Sequence, residues 1–263
     1  MTAPRIAVLA GDGIGPQVLE AALPAFEVLG TPVDLVRGEI GWECWKKDGN
    51  PVPPPTWSLL DRSDAALLGA VTSKPDREAR ADLPPSRRGV DSPYVSPVVQ
   101  LRQRLDLFAN ERPVTDFRGD RFDFVVVREN TEGLYAGFDQ YPATNTAWSI
   151  VNKHRNTLVS GRDGTAISIR VQTRTATMRL MKHAFGLASA RRGLVTVADK
   201  PNVLRQSANL VREVLEEIQP LFPNVRAEVL NVDAVGMWMV TKPQRFDVIV
   251  AENMFGDILS DVG

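Results

Sequence analysis

The stretch "RIAVLAGDGIGPQVLEAALPAFEVLG" (residues 5–30) sets the reading of the whole chain. "RIAVLA" is a short apolar run closed by Gly11, the pattern of a buried strand. Pro16 then opens a helical pattern that Gly30 closes, since proline suits a first helical turn and glycine a helix end. Pro24 lies inside that pattern and predicts a kink or break, because it lacks an N–H and its ring collides with the preceding turn. "PVDLVRG" (32–38) follows as a second strand, "TWSLLDRS" (56–63) as a helix and "DAALLGAV" (64–71) as a third strand. Strand–helix–strand alternation of this kind predicts a parallel α/β sheet.

The alternation resumes downstream. "VVQLRQRLDL" (98–107) reads as a helix and "FDFVVVRE" (122–129) as a strand. "TAISIRVQT" (165–173), "GLVTVAD" (193–199), "VRAEVLNV" (225–232) and "FDVIVAE" (246–252) read as strands. "TATMRLMKHAFGLA" (175–188), "NVLRQSANLVREVLEEIQ" (202–219) and the short "AVGMWMV" (234–240) read as helical. Residues 139–160 carry no clear period and predict an arm or clasp. Residues 72–95 are polar, proline-rich and charged, and predict a long loop. That loop and the strand near 246–251 are the expected crossings between two domains. The first, on the cofactor side, takes residues 1–98 plus 252–263; the second, for substrate and dimerisation, takes 99–251.

Composition narrows the function classes. The 263 residues are 43% hydrophobic and 24% charged, with a formal net charge of −1. Near-neutral charge predicts neither nucleic acid nor an anionic membrane as a bulk partner. One cysteine, Cys44, excludes an intrachain disulfide and a thiolate metal cluster, and fits a reducing, cytoplasmic setting. No stretch has the apolar length of a membrane-spanning helix, and "IAVLA" is too short for a secretory core. With only two histidines, His154 and His183, acid–base chemistry is expected to rest on Lys, Tyr and carboxylates.

"GDGIGP" (11–16) lies between a strand and a helix, where a dinucleotide fingerprint would lie. Its spacing is G-x-G-x-G followed by Pro, rather than G-x-G-x-x-G. The pattern leaves open a Rossmann-type module that binds NAD tightly through this loop. It equally fits a tight turn that needs positive φ.

Four further segments resolve the matter by resemblance: "LRQRLDLFANERPV" (101–114), "VVVRENTEGLYAG" (125–137), "VTVADKPNVL" (195–204) and "FDVIVAENMFGDILSD" (246–261). With "GDGIGP" they span the chain, which resembles the β-decarboxylating dehydrogenases of the isocitrate/isopropylmalate type. The resemblance implies a two-domain α/β fold with parallel and mixed sheets flanked by helices, distinct from a Rossmann domain. It also implies that the family continues beyond "GDILSD", so the chain reads as C-terminally truncated. The absent part would hold the "HGSAP"-type loop that selects NAD or NADP.

The resemblance assigns roles to particular residues. Arg102, Arg112 and Arg128 would grip the malate-like backbone of a 2-hydroxy dicarboxylate, a task suited to arginine's planar fork. Tyr135 and Lys200 would be the acid and base of an oxidative decarboxylation. Asp233, Asp257 and Asp261 would hold Mg2+ or Mn2+, for which oxygen ligands are apt. Asp257 and Asp261 are spaced i,i+4, on one face of a helix. Asn202 would lie near the nicotinamide of NAD, with NADP also admissible, and Gly13 and Ile14 beside the cofactor. Lys200 and Asp233 would act in a neighbouring subunit, implying a homodimer with shared sites.

Taken singly, each of these residue types is most often an ordinary surface or core residue; the assignment rests on the motifs. Two positions depart from the family pattern. Asp199 stands where His usually precedes the lysine, and Pro201 where a small residue follows it. A negative charge there is expected to raise the lysine pKa and weaken the base.

The residues before Arg102 choose the substrate's side group. In "SPVVQLR", Ser96 is retained, while Val98 and Val99 offer a small apolar wall against which an unpaired carboxylate would be costly. The expected substrate is a 3-substituted malate such as 3-isopropylmalate. "RENTEG" is more typical of isocitrate, homoisocitrate and archaeal isopropylmalate relatives, and an isocitrate/homoisocitrate or tartrate/malate-type dehydrogenase is the alternative. A non-catalytic truncated paralogue or partner subunit is the reading from a different class.

Overall fold

The apolar run at Arg5–Leu9 (β1) buries Ala7, Val8 and Leu9 completely or nearly so. Burial on both sides suits the middle strand of a parallel sheet. The computed structural model describes residues 3–30, 32–88 and 94–263, and the chain divides into Met1–Leu105 and Asp106–Gly263.

In the first unit, β1 is followed by Gly15–Ala22 (α1) and Pro24–Leu29 (α2). The break between the helices falls at Pro24, and Gly30 ends the second at φ +63°. Asp34–Gly38 (β2) comes next, then Trp42–Asp48 (α3), Pro54–Leu60 (α4) and Ala65–Leu68 (β3). The sheet order is β2–β1–β3, all parallel. Within 72–95 the chain forms a short helix, Asp76–Ala81 (α5), and a 3-10 turn at Pro85–Arg87. Residues 89–93 of that segment lie outside the described residues. Pro97–Arg104 (α6) ends the unit, its Leu101 packed with Leu9, Ile40 and Leu60.

Helix α3 has no counterpart in the sequence reading. Its cause is tertiary. Trp42 and Trp45 stack edge-on against Tyr94 with ring centroids 5.2 and 5.0 Å away, and Trp45 Nε1 donates to the Ala79 carbonyl at 2.8 Å. Burial of two indoles outweighs the weak local pattern.

In the second unit, Ala109–Thr115 (β4) pairs antiparallel with Asp123–Glu129 (β5). A two-stranded ladder, Asp139–Gln140 (β6) with Ile167–Ser168 (β7), brackets two short helices, Asn145–Val151 (α7) and Arg155–Ser160 (α8). The long strand read at 165–173 is thus two ladder residues, plus an isolated bridge from Val171 to Gly133. Its alternation is real, but only this narrow ladder is there to pair with it.

The main sheet then grows by β–α alternation: Arg174–Ser189 (α9), Leu194–Asp199 (β8), Arg205–Ile218 (α10), Arg226–Asn231 (β9), Val232–Thr241 (α11), Val248–Ala251 (β10) and Asn253–Val262 (α12). Its order is β4–β5–β10–β8–β9, parallel apart from β4.

Strand periodicity sorts the side chains onto two faces. Val125, Val127, Val195, Val197, Val248 and Val250 meet Leu180, Phe185, Val211 and Val214 of α9 and α10. Phe124, Val126, Ala198, Ile249 and Ala251 meet Val235, Met239 and Leu259 of α11 and α12. Residues 252–263, grouped with the first unit in the sequence reading, therefore belong here to the second. The apolar side of α12 closes the second face of this sheet.

Candidate functional site

Ligands of open α/β sheets bind outside the carboxyl ends of the strands. Four parallel strands of the second unit end in residues singled out above. Arg128 lies at the end of β5, Lys200 follows β8, Asp233 opens α11 after β9, and α12 follows β10 at once.

Arg128 is 3% exposed, and α12 takes three of its five guanidinium N–H groups. Nε and Nη2 both donate to Asn253 Oδ1, at 3.1 and 2.8 Å, and Nη1 donates to Asp257 Oδ1. Gly256 makes this approach possible: a Cβ there would stand 2.7 Å from Arg128 Cγ. The second Asp257 oxygen accepts from the Tyr135 hydroxyl at 3.0 Å, and the Arg128 guanidinium lies 5.5 Å from the Tyr135 ring centre. Partial burial, then the bond to the Asp257 carboxylate, push the Tyr135 hydroxyl pKa above its ordinary value. The phenol therefore keeps its proton at neutral pH.

The backbone around this cluster is tied by carboxylates. Glu129 accepts from the N–H groups of Thr131 and Glu132, at 2.9 and 2.7 Å, shaping the "RENTEG" turn. Glu132 accepts from Thr173 N and Oγ1, at 2.9 and 2.8 Å, and burial raises its pKa. Glu252 caps α12 by accepting from Phe255 N at 2.9 Å.

Lys200 forms a second pair, its Nζ donating to Asp233 Oδ1. That bond holds the Asp233 carboxyl below its usual range. The carboxylate on Lys200 is thus Asp233. Asp199, 4% exposed, lines a cavity of about 30 Å³ with Glu129, Glu252 and Asn253.

The remaining sequence-predicted residues of the second unit take no part in these two pairs. Arg112 is exposed on β4, its Nε 3.0 Å from Asn110 Oδ1. Asn202 is exposed in the turn after Lys200, and Asp261 is exposed one helical turn beyond Asp257. In the first unit, Ser96 is the N-cap of α6, with no side-chain capping bond, and Val98, Val99 and Arg102 on that helix are half-buried.

The glycine loop follows β1, with Gly11 and Gly13 at φ +76° and +58°. A Cβ on Gly11 would fall 1.9 Å from the Ala70 carbonyl oxygen. Two loop N–H groups are already used, Asp12 N on Ala70 O at 3.0 Å and Gly15 N on Asp12 O at 2.9 Å. The Asp12 carboxylate, 6% exposed, accepts from Trp42 N at 2.5 Å and Thr72 N at 2.8 Å. The glycines serve a packed turn, while Gly13 and Ile14 stay exposed.

Asp233, Asp257 and Asp261 are carboxylates, the donor type a hard divalent cation prefers, with Asp257 and Asp261 spaced one turn apart on α12. Within one chain, and among the described residues, no three or more His, Cys, Asp or Glu side chains gather to hold a metal ion.

A sequence model described as isocitrate/isopropylmalate dehydrogenase matches residues 5–263, and the chain belongs to that family. The chain is 49% identical to Protein DlpA of Legionella pneumophila, over 98% of this chain and 43% of that protein. It is 37% identical to the 3-isopropylmalate dehydrogenase of Bacillus subtilis, over 98% of this chain and 68% of the relative. The 3-isopropylmalate/3-methylmalate dehydrogenase of Methanocaldococcus jannaschii is 35% identical, with 98% and 69% covered. Among solved structures, isocitrate dehydrogenase from Methylococcus capsulatus superposes with a TM-score of 0.79 at 34% identity, covering 98% of this chain and 69% of that one. The chain spans less than half the length of the Legionella relative and about two thirds of the others.

Asn253, Gly256, Glu132 and Thr173 were missed by the sequence reading. One signal was available for Asn253: a polar residue in the first turn of a helix that leaves the carboxyl end of a parallel strand.

Proposed function

We propose that this chain carries the substrate and metal groups of a decarboxylating dehydrogenase. It would oxidise a 3-substituted malate of the 3-isopropylmalate kind with NAD or NADP. The observation that carries the reading is the Arg128–Asp257–Tyr135 cluster at the carboxyl end of the parallel sheet, in a chain of this family.

Arg128, with Arg102 and Arg112, would bind the two carboxylates of the substrate. Guanidinium forks match carboxylate geometry bidentately. Lys200, in its neutral form, would take the hydroxyl proton, with Asp233 on its Nζ to relay the charge. Tyr135, protonated at neutral pH, would return a proton to carbon after CO2 is lost. Asp233, Asp257 and Asp261 would hold Mg2+ or Mn2+, which supplies charge stabilisation to developing oxyanions. The bound nicotinamide supplies the hydride acceptor, with Asn202, Gly13 and Ile14 as its contacts in this chain. Val98 and Val99 would face the apolar substituent, and Ser96 would offer a hydroxyl beside it. A homodimer would share its sites, with Lys200 and Asp233 serving the neighbour.

A second reading, a partner subunit without turnover of its own, is favoured by the 49% identity to Protein DlpA, whose name states no activity. One experiment separates the two. Intact-mass measurement of the purified chain is followed by an NAD reduction assay with 3-isopropylmalate and Mn2+. Metal-dependent NADH formation, with little on isocitrate, is expected. A folded dimer that produces none would reject the enzyme reading, and a strong preference for isocitrate would reject the substrate assignment.

A further inference from the structure

We infer that Asn253 is the positioning residue that aims Arg128 at a substrate carboxylate; this rests on the dicarboxylate-binding role proposed for Arg128 above. The guanidinium carries one N–H on Nε and two on each terminal nitrogen. Asn253 Oδ1 takes the Nε proton and one from Nη2, at 3.1 and 2.8 Å, and Asp257 takes one from Nη1. One N–H on each terminal nitrogen is left. Because Asn253 fills the side-on edge of Nε and Nη2, bidentate binding of a carboxylate falls to the end-on edge of Nη1 and Nη2.

The amide is itself fixed. Asn253 is 1% exposed, and its Nδ2 donates to the Glu132 carbonyl at 2.7 Å, which orients its oxygen toward the arginine. Gly256 packs on the Arg128 stem, with no room for a Cβ against Cγ and Cβ of the arginine. The two anchors on Arg128 differ in kind. Asp257 is charged, shared with Tyr135, and assigned to the cation site in the proposed function. Asn253 is neutral and takes part in no other acid–base pair. It can hold the guanidinium when Asp257 turns to another partner, and it leaves the positive charge whole for an incoming anion. A carboxylate at 253 would make the same bonds to Arg128 but neutralise it.

The test is calorimetric titration of the purified full chain with malate in the presence of Mn2+, with thermal melts as a check on folding. Asn253→Ala is expected to weaken malate binding roughly ten- to hundredfold, the scale of a charge-assisted hydrogen bond lost in a buried site. In an Arg128→Lys background, which keeps the charge and removes the fork, the same substitution is expected to change affinity by less than about threefold. Asn253→Asp, the second variant should the alanine chain fail to fold, is expected to weaken binding by at least about tenfold because it neutralises the arginine. Wild-type affinity in a folded Asn253→Ala or Asn253→Asp chain overturns the inference. So does an equal loss in the Arg128→Lys background, which marks a structural role only. A wild-type chain that binds no malate rejects the inference together with the reading beneath it, whereas the other outcomes leave that reading standing.

Discussion

Asp257 is the residue on which the second unit's chemistry turns. One of its oxygens takes the Arg128 guanidinium and the other the Tyr135 hydroxyl. Burial opposes phenolate formation at Tyr135, and the Asp257 carboxylate adds to it, by holding the proton in a hydrogen bond and by charge repulsion. The sign follows directly. The folded pKa of Tyr135 is raised, so its contribution to stability is whole below the ordinary phenol value, about 10, and is lost as pH rises through the higher folded value. In chelator-treated buffer, the ultraviolet difference titration between wild type and Tyr135→Phe should show a phenol ionising above that ordinary value. Asp257→Asn removes the charge while Arg128 stays near, so the midpoint should move down. A Tyr135 midpoint at the ordinary value in wild type, or one unmoved by Asp257→Asn, would contradict the pairing.

At the scale of elements, the "NTEG" turn is held to helix α9 by one residue with two functions. Thr173 Oγ1 accepts from Ala176 N at 3.3 Å as the α9 N-cap and donates to Glu132 at 2.8 Å. Loss of an N-cap costs about 1 kcal/mol, so Thr173→Ala should lower the unfolding free energy from urea melts by that order. Burial raises the Glu132 pKa, and the Thr173 bonds oppose the rise by favouring the charged form. Glu132's share of stability is therefore fully present below the ordinary carboxylate value and is lost as pH rises through the raised one. Without the hydroxyl the charged form loses a donor, so the Thr173→Ala penalty should be larger at neutral pH than near about pH 4. Urea melts at the two pH values measure it; a pH-independent penalty would leave only the cap.

Most elements of this kind were legible in the sequence because their causes are local. The valine runs of β5, β8 and β10 are buried on both faces, and Pro24 and Gly30 punctuate the first helices. The motifs likewise marked Arg128, Tyr135 and Asp257, which the fold joins, and Lys200 with Asp233, which it pairs. What was hidden depends on partners remote in sequence. Helix α3 forms around Tyr94, the strand read at 165–173 is limited by what pairs with it, and Asn253 matters only because Arg128 lies 125 residues away.

At the scale of the whole molecule, the two catalytic candidates of one chain belong to separate pairs, Tyr135 with Asp257 and Lys200 with Asp233. Shared sites between two copies would give that separation a purpose, because each site would draw its acid from one copy and its base from the other. A mixing experiment tests this directly. Tyr135→Phe and Lys200→Met chains are each expected to lose turnover of 3-isopropylmalate. When the two are unfolded together and refolded at equal amounts, half of the dimers formed at random are mixed. If the base crosses over, a mixed dimer has one site with both substitutions and one with neither. Turnover should then return to roughly a quarter of wild type, as closed two-fold symmetry requires. If acid and base instead act within one chain, every site in every dimer keeps a defect, and the mixture stays as inactive as its components. Sedimentation at twice the chain mass accompanies the first outcome, and recovery by a monomeric mixture would contradict shared sites.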